Sequence, residues 1–192
     1  MMEISIDCGF RTHVRHAAGA SGRLMQRVMT ATCASLALAF VIALPLAARA
    51  QETGIAVGAT APAALVETPE GAKVDLGKYV GKTPVVFQFW AVWCSNCKAL
   101  EPQMRAAQAK YGKTIHFVGV AVGVNQSAAL ARRYATKHQL PFEVLYDKTG
   151  DAADKYDVPA TSYIVVVNRL GKVVYTGVGA EQNIDAAVRK AL

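Results

Sequence analysis

Val85-Val86-Phe87-Gln88-Phe89-Trp90-Ala91-Val92-Trp93-Cys94-Ser95-Asn96-Cys97-Lys98 is the stretch on which the fold turns. Its first five residues make a short, almost continuous apolar run, the mark of a strand buried on both faces of a sheet. A helix is expected to follow, so the two cysteines stand where a buried strand gives way to a helix start. Unpaired backbone N–H groups and the positive end of the helix dipole stabilise a thiolate at such a place. Cys94 is the predicted nucleophile. Cys97, three residues on and nearly one helical turn away, is close enough to close a disulfide with Cys94. It is expected to lie inward, as the resolving thiol that releases a mixed disulfide. Trp93 is expected to shield the pair and Lys98 to add a nearby cation. A pair of this kind passes two electrons with no bound cofactor, and no metal site is expected. Lys98 in place of His after Cys97 removes the C-x-x-C-H haem attachment.

Outward from this stretch, apolar runs recur at Ile115 to Val122, Phe142 to Tyr146 and Tyr163 to Val167. Between the first two, Ser127 to His138 places Ala128, Leu130, Ala131, Tyr134 and Ala135 at helical spacing, with Arg132, Arg133, Lys137 and His138 toward the end where the dipole favours cations. Asn168-Arg169-Leu170-Gly171 reads as a hairpin turn into Lys172 to Tyr175, and Glu181 to Leu192 as a closing amphipathic helix. The expected class is α/β, with parallel strands first and an antiparallel hairpin late. His116 and His138 show no spacing that pairs them with the cysteines. Asp147, Asp151, Asp154 and Asp157 lack the EF-hand ligand order and read as turn and cap residues. Tyr111, Tyr134, Tyr156 and Tyr163 read as packing residues.

The chain has 192 residues and a formal net charge of +7, with 53% hydrophobic residues. It is too apolar for a disordered protein. Much of that apolarity sits in Thr30 to Leu46, which carries no charge, follows Arg23 and Arg27, and leads to Ala48-Arg49-Ala50. This order predicts a secretory signal peptide over 1–50, cleaved after Ala50, leaving a domain at 51–192. The competing reading is a membrane anchor formed by 30–46. Met25 and Met29 are candidate starts, in which case 1–24 is not translated. Residues 1–50 hold 5 basic and 2 acidic residues, so 51–192 keeps 16 against 12, a weak and unclustered field that argues against nucleic acid. Cys8 and Cys33 fall in the predicted leader, so only Cys94 and Cys97 remain. In an exported compartment a pair this closely spaced is chemical rather than a structural staple.

At these residues the chain resembles the thioredoxin superfamily, and within it the exported TlpA/ResA-like thiol–disulfide oxidoreductases. Val57-Gly58-Ala59-Thr60-Ala61-Pro62, Gly71 to Leu76, Gly81-Lys82 and the run into FQFWAVWCSNC look like that family's N-terminal hairpin and first strand. The segment 127–146 is similar to its helix-strand insertion, and Pro102 matches the superfamily's helix-kinking proline. The resemblance implies a thioredoxin fold, a central mixed sheet flanked by helices with those two additions. It further implies a monomeric periplasmic enzyme that exchanges disulfides with exported proteins, as a reductant fed by a membrane thiol donor.

Three positions depart from the family pattern. Gln88 stands where thioredoxins keep a buried acid that accepts the resolving thiol's proton, and Gln cannot accept it. Leu100 stands where TlpA-like proteins often carry Glu, while Glu101 follows one place later. That C-K-x-x-E spacing is similar to the C-terminal thioredoxin-like domain of the transmembrane disulfide reductant transporters. Glu101 is either the base for Cys97 or an exposed helix charge, and both readings stay open here. The cis-proline loop that faces the disulfide in the family has Val158-Pro159 as its only X-Pro candidate, yet counting nine residues back from Gly171 reaches Ser162. Val158 to Ser162, including Pro159 and Thr161, is taken as the substrate loop with its peptide isomer open. With Ser162 in that position the bond is expected to be trans, because cis costs about 2.5–4 kcal/mol without proline. A trans loop would open the site and could admit metal. The alternative function is a Cu(I)-binding, copper-site assembly module, since two soft thiolates suit that ion. The peroxiredoxin arrangement Pro-x-x-x-Thr-x-x-Cys is absent.

Overall fold

In the computed structural model, which describes residues 54–192, Val85–Trp90 is an interior strand and every one of its six residues is buried. The elements in chain order are β1 (Leu65–Glu67), β2 (Lys73–Asp75), a 3-10 turn (Leu76–Tyr79), β3 (Val85–Trp90), α1 (Ser95–Tyr111), β4 (His116–Val122), α2 (Ala128–Lys137), β5 (Glu143–Asp147), α3 (Asp151–Lys155), β6 (Tyr163–Val167), β7 (Val173–Gly177) and α4 (Ile184–Arg189). They build a seven-stranded sheet of order β2-β1-β5-β4-β3-β6-β7. Strand β3 pairs parallel with β4 along its whole length and antiparallel with β6 on its other edge. Parallel strands β3, β4 and β5 precede the antiparallel β6–β7 hairpin, as the hydrophobic pattern predicts. The predicted leader lies outside the described residues.

Pleating sends the β3 side chains to two different cores. Val85, Phe87 and Phe89 meet Tyr156, Tyr163, Val165 and Val167 on one face. Val86 joins Ile164, Val166, Leu100, Met104, Ile184 and Val188 beneath α1 and α4 on the other. Each fully buried Phe or Leu contributes about 1.5–3 kcal/mol, so burial on both faces of β3 is a large part of what holds the sheet together. Tyr156 packs at 5.5 Å from both Phe87 and Phe89, and its hydroxyl donates to the Pro62 carbonyl at 2.9 Å. The Tyr163 hydroxyl accepts from the Ile55 amide at 3.0 Å. Both tyrosines therefore tether the N-terminal segment as well as filling space.

Local chemistry sets the element ends. The Ser127 hydroxyl caps α2 by accepting from the Leu130 amide, and Lys137 sits in its last turn. Asn168 turns the β6–β7 hairpin by accepting from the amides of Leu170 and Lys172, with Gly171 at φ 75° where a side chain would be strained. The closing helix is shorter than the predicted span from Glu181 to Leu192. Gln182 is committed to the carbonyls of Ser162 and Gly179, Asn183 caps at the Ala186 amide, and the amides of Lys190 and Ala191 bond three residues back. Those partners trim α4 to Ile184–Arg189. Helix α3 has too short an apolar pattern to be seen in the sequence.

Asp147, at the end of β5, is fully buried, with one carboxylate oxygen accepting from the Ala153 amide at 2.8 Å and the other unpartnered. Burial pushes its pKa up from 3.8 despite the amides that favour the charge. The folded chain thus holds this proton more tightly than the unfolded one, so the stabilisation is complete below pH 3.8 and is lost as pH rises through the folded value. Asp147→Asn keeps an acceptor for Ala153 and cannot ionise. In urea unfolding at a series of pH values, the variant is expected to gain stability relative to the native chain as pH rises through that window, with no further gain above it.

Candidate active site

Strand β3 ends at Trp90, the chain turns through Ala91–Trp93, and Cys94 is the residue that caps α1. Its sulfur accepts from the Cys97 amide at 3.0 Å, satisfying one of the donors a helix start leaves free. Cys94 and Cys97 form a disulfide with S–S 2.08 Å and Cα atoms 5.3 Å apart. Exposure does not separate the two cysteines, which are 5% and 7% accessible. Their surroundings differ instead. Cys94 sits in the field of the helix start, while Cys97 lines a small, partly open cavity. Ser95, Asn96 and Lys98 are exposed around them. Trp93 is 48% exposed, and its indole N–H donates to the Val124 carbonyl at 3.0 Å.

Gln126, which the sequence reading passes over, holds the turn before Cys94 from across the β4–α2 loop. Its side-chain oxygen accepts from the Val92 amide at 3.0 Å and its amide nitrogen donates to the Val122 carbonyl at 2.6 Å. The Tyr146 hydroxyl donates to the Gln126 carbonyl at 2.9 Å, fixing the loop from β5. With the Trp93–Val124 bond, these contacts pin the β4–α2 loop against Ala91–Trp93.

The cavity behind Cys97 measures about 10 Å³ and is lined by Gln88, Trp90, Cys97, Glu101, Tyr134 and Phe142, among others. Gln88 is buried at the centre of β3, paired with Gly119 on β4. A side chain at Gly119 would stand 2.7 Å from the Phe142 ring and 3.0 Å from the Trp90 indole nitrogen, so the glycine makes the room those rings occupy. That indole N–H is buried and unpartnered. Glu101 corrects the exposed-charge reading, because its side chain is only 17% accessible. One of its oxygens accepts from Arg105 at 2.7 Å, and the other lies 3.5 Å from the Tyr134 hydroxyl. Four residues after Cys97 on one helix, it shares that cysteine's face. Tyr134 is thus more than the packing residue its helical spacing predicts.

The loop from Val158 to Ser162 enters β6 beside the C-terminal end of β3, where the Ser162 amide donates to the Phe89 carbonyl at 2.9 Å. No cis peptide occurs among the described residues. Ser162 takes a left-handed φ of 67°, is fully buried, and uses its hydroxyl to accept from the Gly179 amide and its carbonyl to accept from Gln182. It anchors the loop from within. Pro159 and Ala160 are the exposed residues of the loop, with Val158 and Thr161 half-buried. Among the described residues no group of three or more His, Cys, Asp or Glu side chains is arranged to hold a metal ion.

Residues 56–192 match the family model described as Redoxin. The chain belongs to the Redoxin family. This redoxin is 30% identical over 138 residues to the thioredoxin-like protein YneN of Bacillus subtilis, covering 70% of the chain and 80% of YneN. It is 28% identical over 136 residues to the thiol-disulfide oxidoreductase ResA of Geobacillus thermodenitrificans, covering 70% of the chain and 77% of ResA. A crystal structure of a secreted Mycobacterium tuberculosis disulfide oxidoreductase, homologous to E. coli DsbE, aligns with a TM-score of 0.56 at 25% identity, over 66% of this chain and 93% of that one. The fold is the thioredoxin fold, with β1–β2 as its added hairpin and α2–β5 as its insertion, and the redoxin is a thiol–disulfide oxidoreductase. Gln126→Leu, which leaves the Val92 amide without its acceptor, is expected to lower the stability of the oxidised redoxin by about 1–3 kcal/mol in urea unfolding.

Proposed function

We propose that this redoxin is a periplasmic reductant of disulfides in exported proteins, re-reduced by a thiol donor in the membrane, with Cys94 as nucleophile and Cys97 as resolving thiol. The single observation that carries the exchange chemistry is the Cys94–Cys97 disulfide at the mouth of α1, with the Cys97 amide aimed at the Cys94 sulfur. The same amide and the helix dipole would stabilise a Cys94 thiolate once the disulfide is opened. That thiolate attacks one sulfur of the partner's disulfide, forming a Cys94–partner bond and expelling the partner's other sulfur as a thiolate, which takes up a proton. Cys97 then gives its proton to Glu101 and attacks the Cys94 sulfur. The Cys94–Cys97 bond forms, the mixed disulfide breaks, and the partner leaves fully reduced. Two electrons have passed from the redoxin to the partner.

Glu101 is the acceptor because Gln88, in the place of the superfamily's acid, has no basic site, whereas Glu101 lines the same cavity as Cys97. Export is supported by the charge-free run Thr30 to Leu46 ahead of Ala48-Arg49-Ala50, and by the placement of both remaining cysteines in one C-x-x-C. The reducing direction follows the resemblance to TlpA/ResA-like proteins. Pro159 and Ala160, with Trp93, supply the surface that meets the partner chain.

Two measurements test this reading. Cys97→Ser is expected to accumulate mixed disulfides with partner proteins on non-reducing gels, and Cys94→Ser to accumulate none. Equal damage from both substitutions, with no trapped partner and with Cu(I) retained by the reduced native chain, would favour the copper module instead. Equilibration of residues 51–192 with dithiothreitol is expected to give a potential near about −270 mV, and a value near about −120 mV would reverse the proposed direction.

A further inference from the structure

Arg105 lies one turn beyond Glu101 on α1, and all three of its polar contacts join the cavity to the inserted helix. Nη2 donates to a Glu101 oxygen at 2.7 Å, Nη1 donates to the Gln139 carbonyl at 2.7 Å, and Nη2 also donates to the His138 carbonyl. Those two carbonyls close the C-terminal end of α2, where the helix dipole favours a cation. Helix α2 also contributes Tyr134, whose ring stacks on His138 at 4.0 Å and lies 5.5 Å from Trp90. Its hydroxyl stands 3.5 Å from the second Glu101 oxygen, a long contact that leaves Arg105 the stronger of the two holds. Burial and the neighbouring Glu101 charge raise the Tyr134 pKa, so the phenol stays protonated and donates.

Both oxygens of the carboxylate are thus engaged from one side by groups that the insertion supplies or anchors. The charged and titratable groups facing Glu101 are Cys97 and Arg105 on its own helix and Tyr134 from α2, with His138 behind the Tyr134 ring. A carboxylate on an unrestrained Glu side chain would turn to water and away from a cavity this small. We propose that Arg105, with Tyr134 in support, is a positioning residue that holds Glu101 toward Cys97, which makes the inserted helix α2 part of the active site. The proposal rests on the reading of Glu101 as the proton acceptor of Cys97.

The test follows the reduced full-length protein with oxidised glutathione as the disulfide. Two steps are resolved by stopped flow across pH: the first attack by Cys94, and the resolving attack by Cys97 that releases the second glutathione. The readout is the ratio of the second rate to the first within each protein. Glu101→Gln is expected to lower that ratio by on the order of 100-fold and to remove its pH dependence below neutrality. Arg105→Gln is expected to lower it by on the order of tenfold and to displace its pH profile, with Arg105→Lys recovering part of the loss because a cation returns to the carboxylate. Tyr134→Phe is expected to cost less. Adding Arg105→Gln to Glu101→Gln is expected to change nothing further, since the group being positioned is gone. An Arg105→Gln profile that overlays the native one while Glu101→Gln is displaced overturns the positioning role and spares Glu101. Losses that multiply in the double variant show a structural role for Arg105 and overturn it too. A native ratio in Glu101→Gln overturns the proton-acceptor reading itself, and the positioning role with it.

Discussion

The pairing of β3 on both edges, inside two cores, is the constraint from which the site follows. With β4 on one side and β6 on the other, its six residues have no freedom to shift register. A slip of one residue would send Phe87 and Phe89 to the opposite core and expose every neighbour they pack against. The C-terminal end of β3 is therefore a fixed point, and the turn through Ala91–Trp93 has one direction in which to leave it. Cys94 arrives where α1 begins, and its sulfur meets the Cys97 amide as a consequence of that geometry.

Around this fixed point the molecule places three loops. The β4–α2 loop grips the turn through Gln126 and the Val124 carbonyl, and the loop before β6 is tied to the end of β3 through Ser162. The segment from Gly179 to Gln182 in turn holds Ser162 by its hydroxyl and its carbonyl. A non-glycine residue at a left-handed φ is costly, by about 1–3 kcal/mol, and persists only where its surroundings over-determine it. Ser162 meets that condition with three hydrogen bonds and complete burial. The disulfide thus lies among loops that are each held by polar contacts to backbone.

Behind the disulfide, the polar group moves from sheet to helix. Gln88 occupies the middle of β3 with an amide that accepts no proton, and the carboxylate at the cavity belongs to Glu101, one turn beyond Cys97. A helix surface is closer to solvent than a central strand, so the charge of Glu101 needs partners to stay at the cavity. Arg105 and Tyr134 are those partners: α2 supplies Tyr134, and the carbonyls that follow it anchor Arg105 from α1. The inserted helix and the Glu101 carboxylate belong to one hydrogen-bonded arrangement.

Much of this was legible along the chain. The almost continuous apolar run before W-C-x-x-C marked a buried strand leading to a helix, and the spacing of Cys94 and Cys97 marked a disulfide, because both depend on neighbours within a few residues. Strands β4 to β7, the helical spacing from Ser127 to His138 and the Asn168–Gly171 turn were equally local. The exposure of Glu101, by contrast, could not be settled from its own helix, since its burial depends on a helix that begins 27 positions later. Gln126 reaches Val92 across 34 residues, and Ser162 reaches Gly179 across 17, with no periodicity to announce either. The sequence by itself determined the strand order's raw material and the reacting pair, through short-range hydrophobic period and helix chemistry. Only the tertiary structure decided which distant side chains hold the turn, the loop and the carboxylate, because hydrogen bonds between remote segments exist only after the apolar core has set those segments side by side.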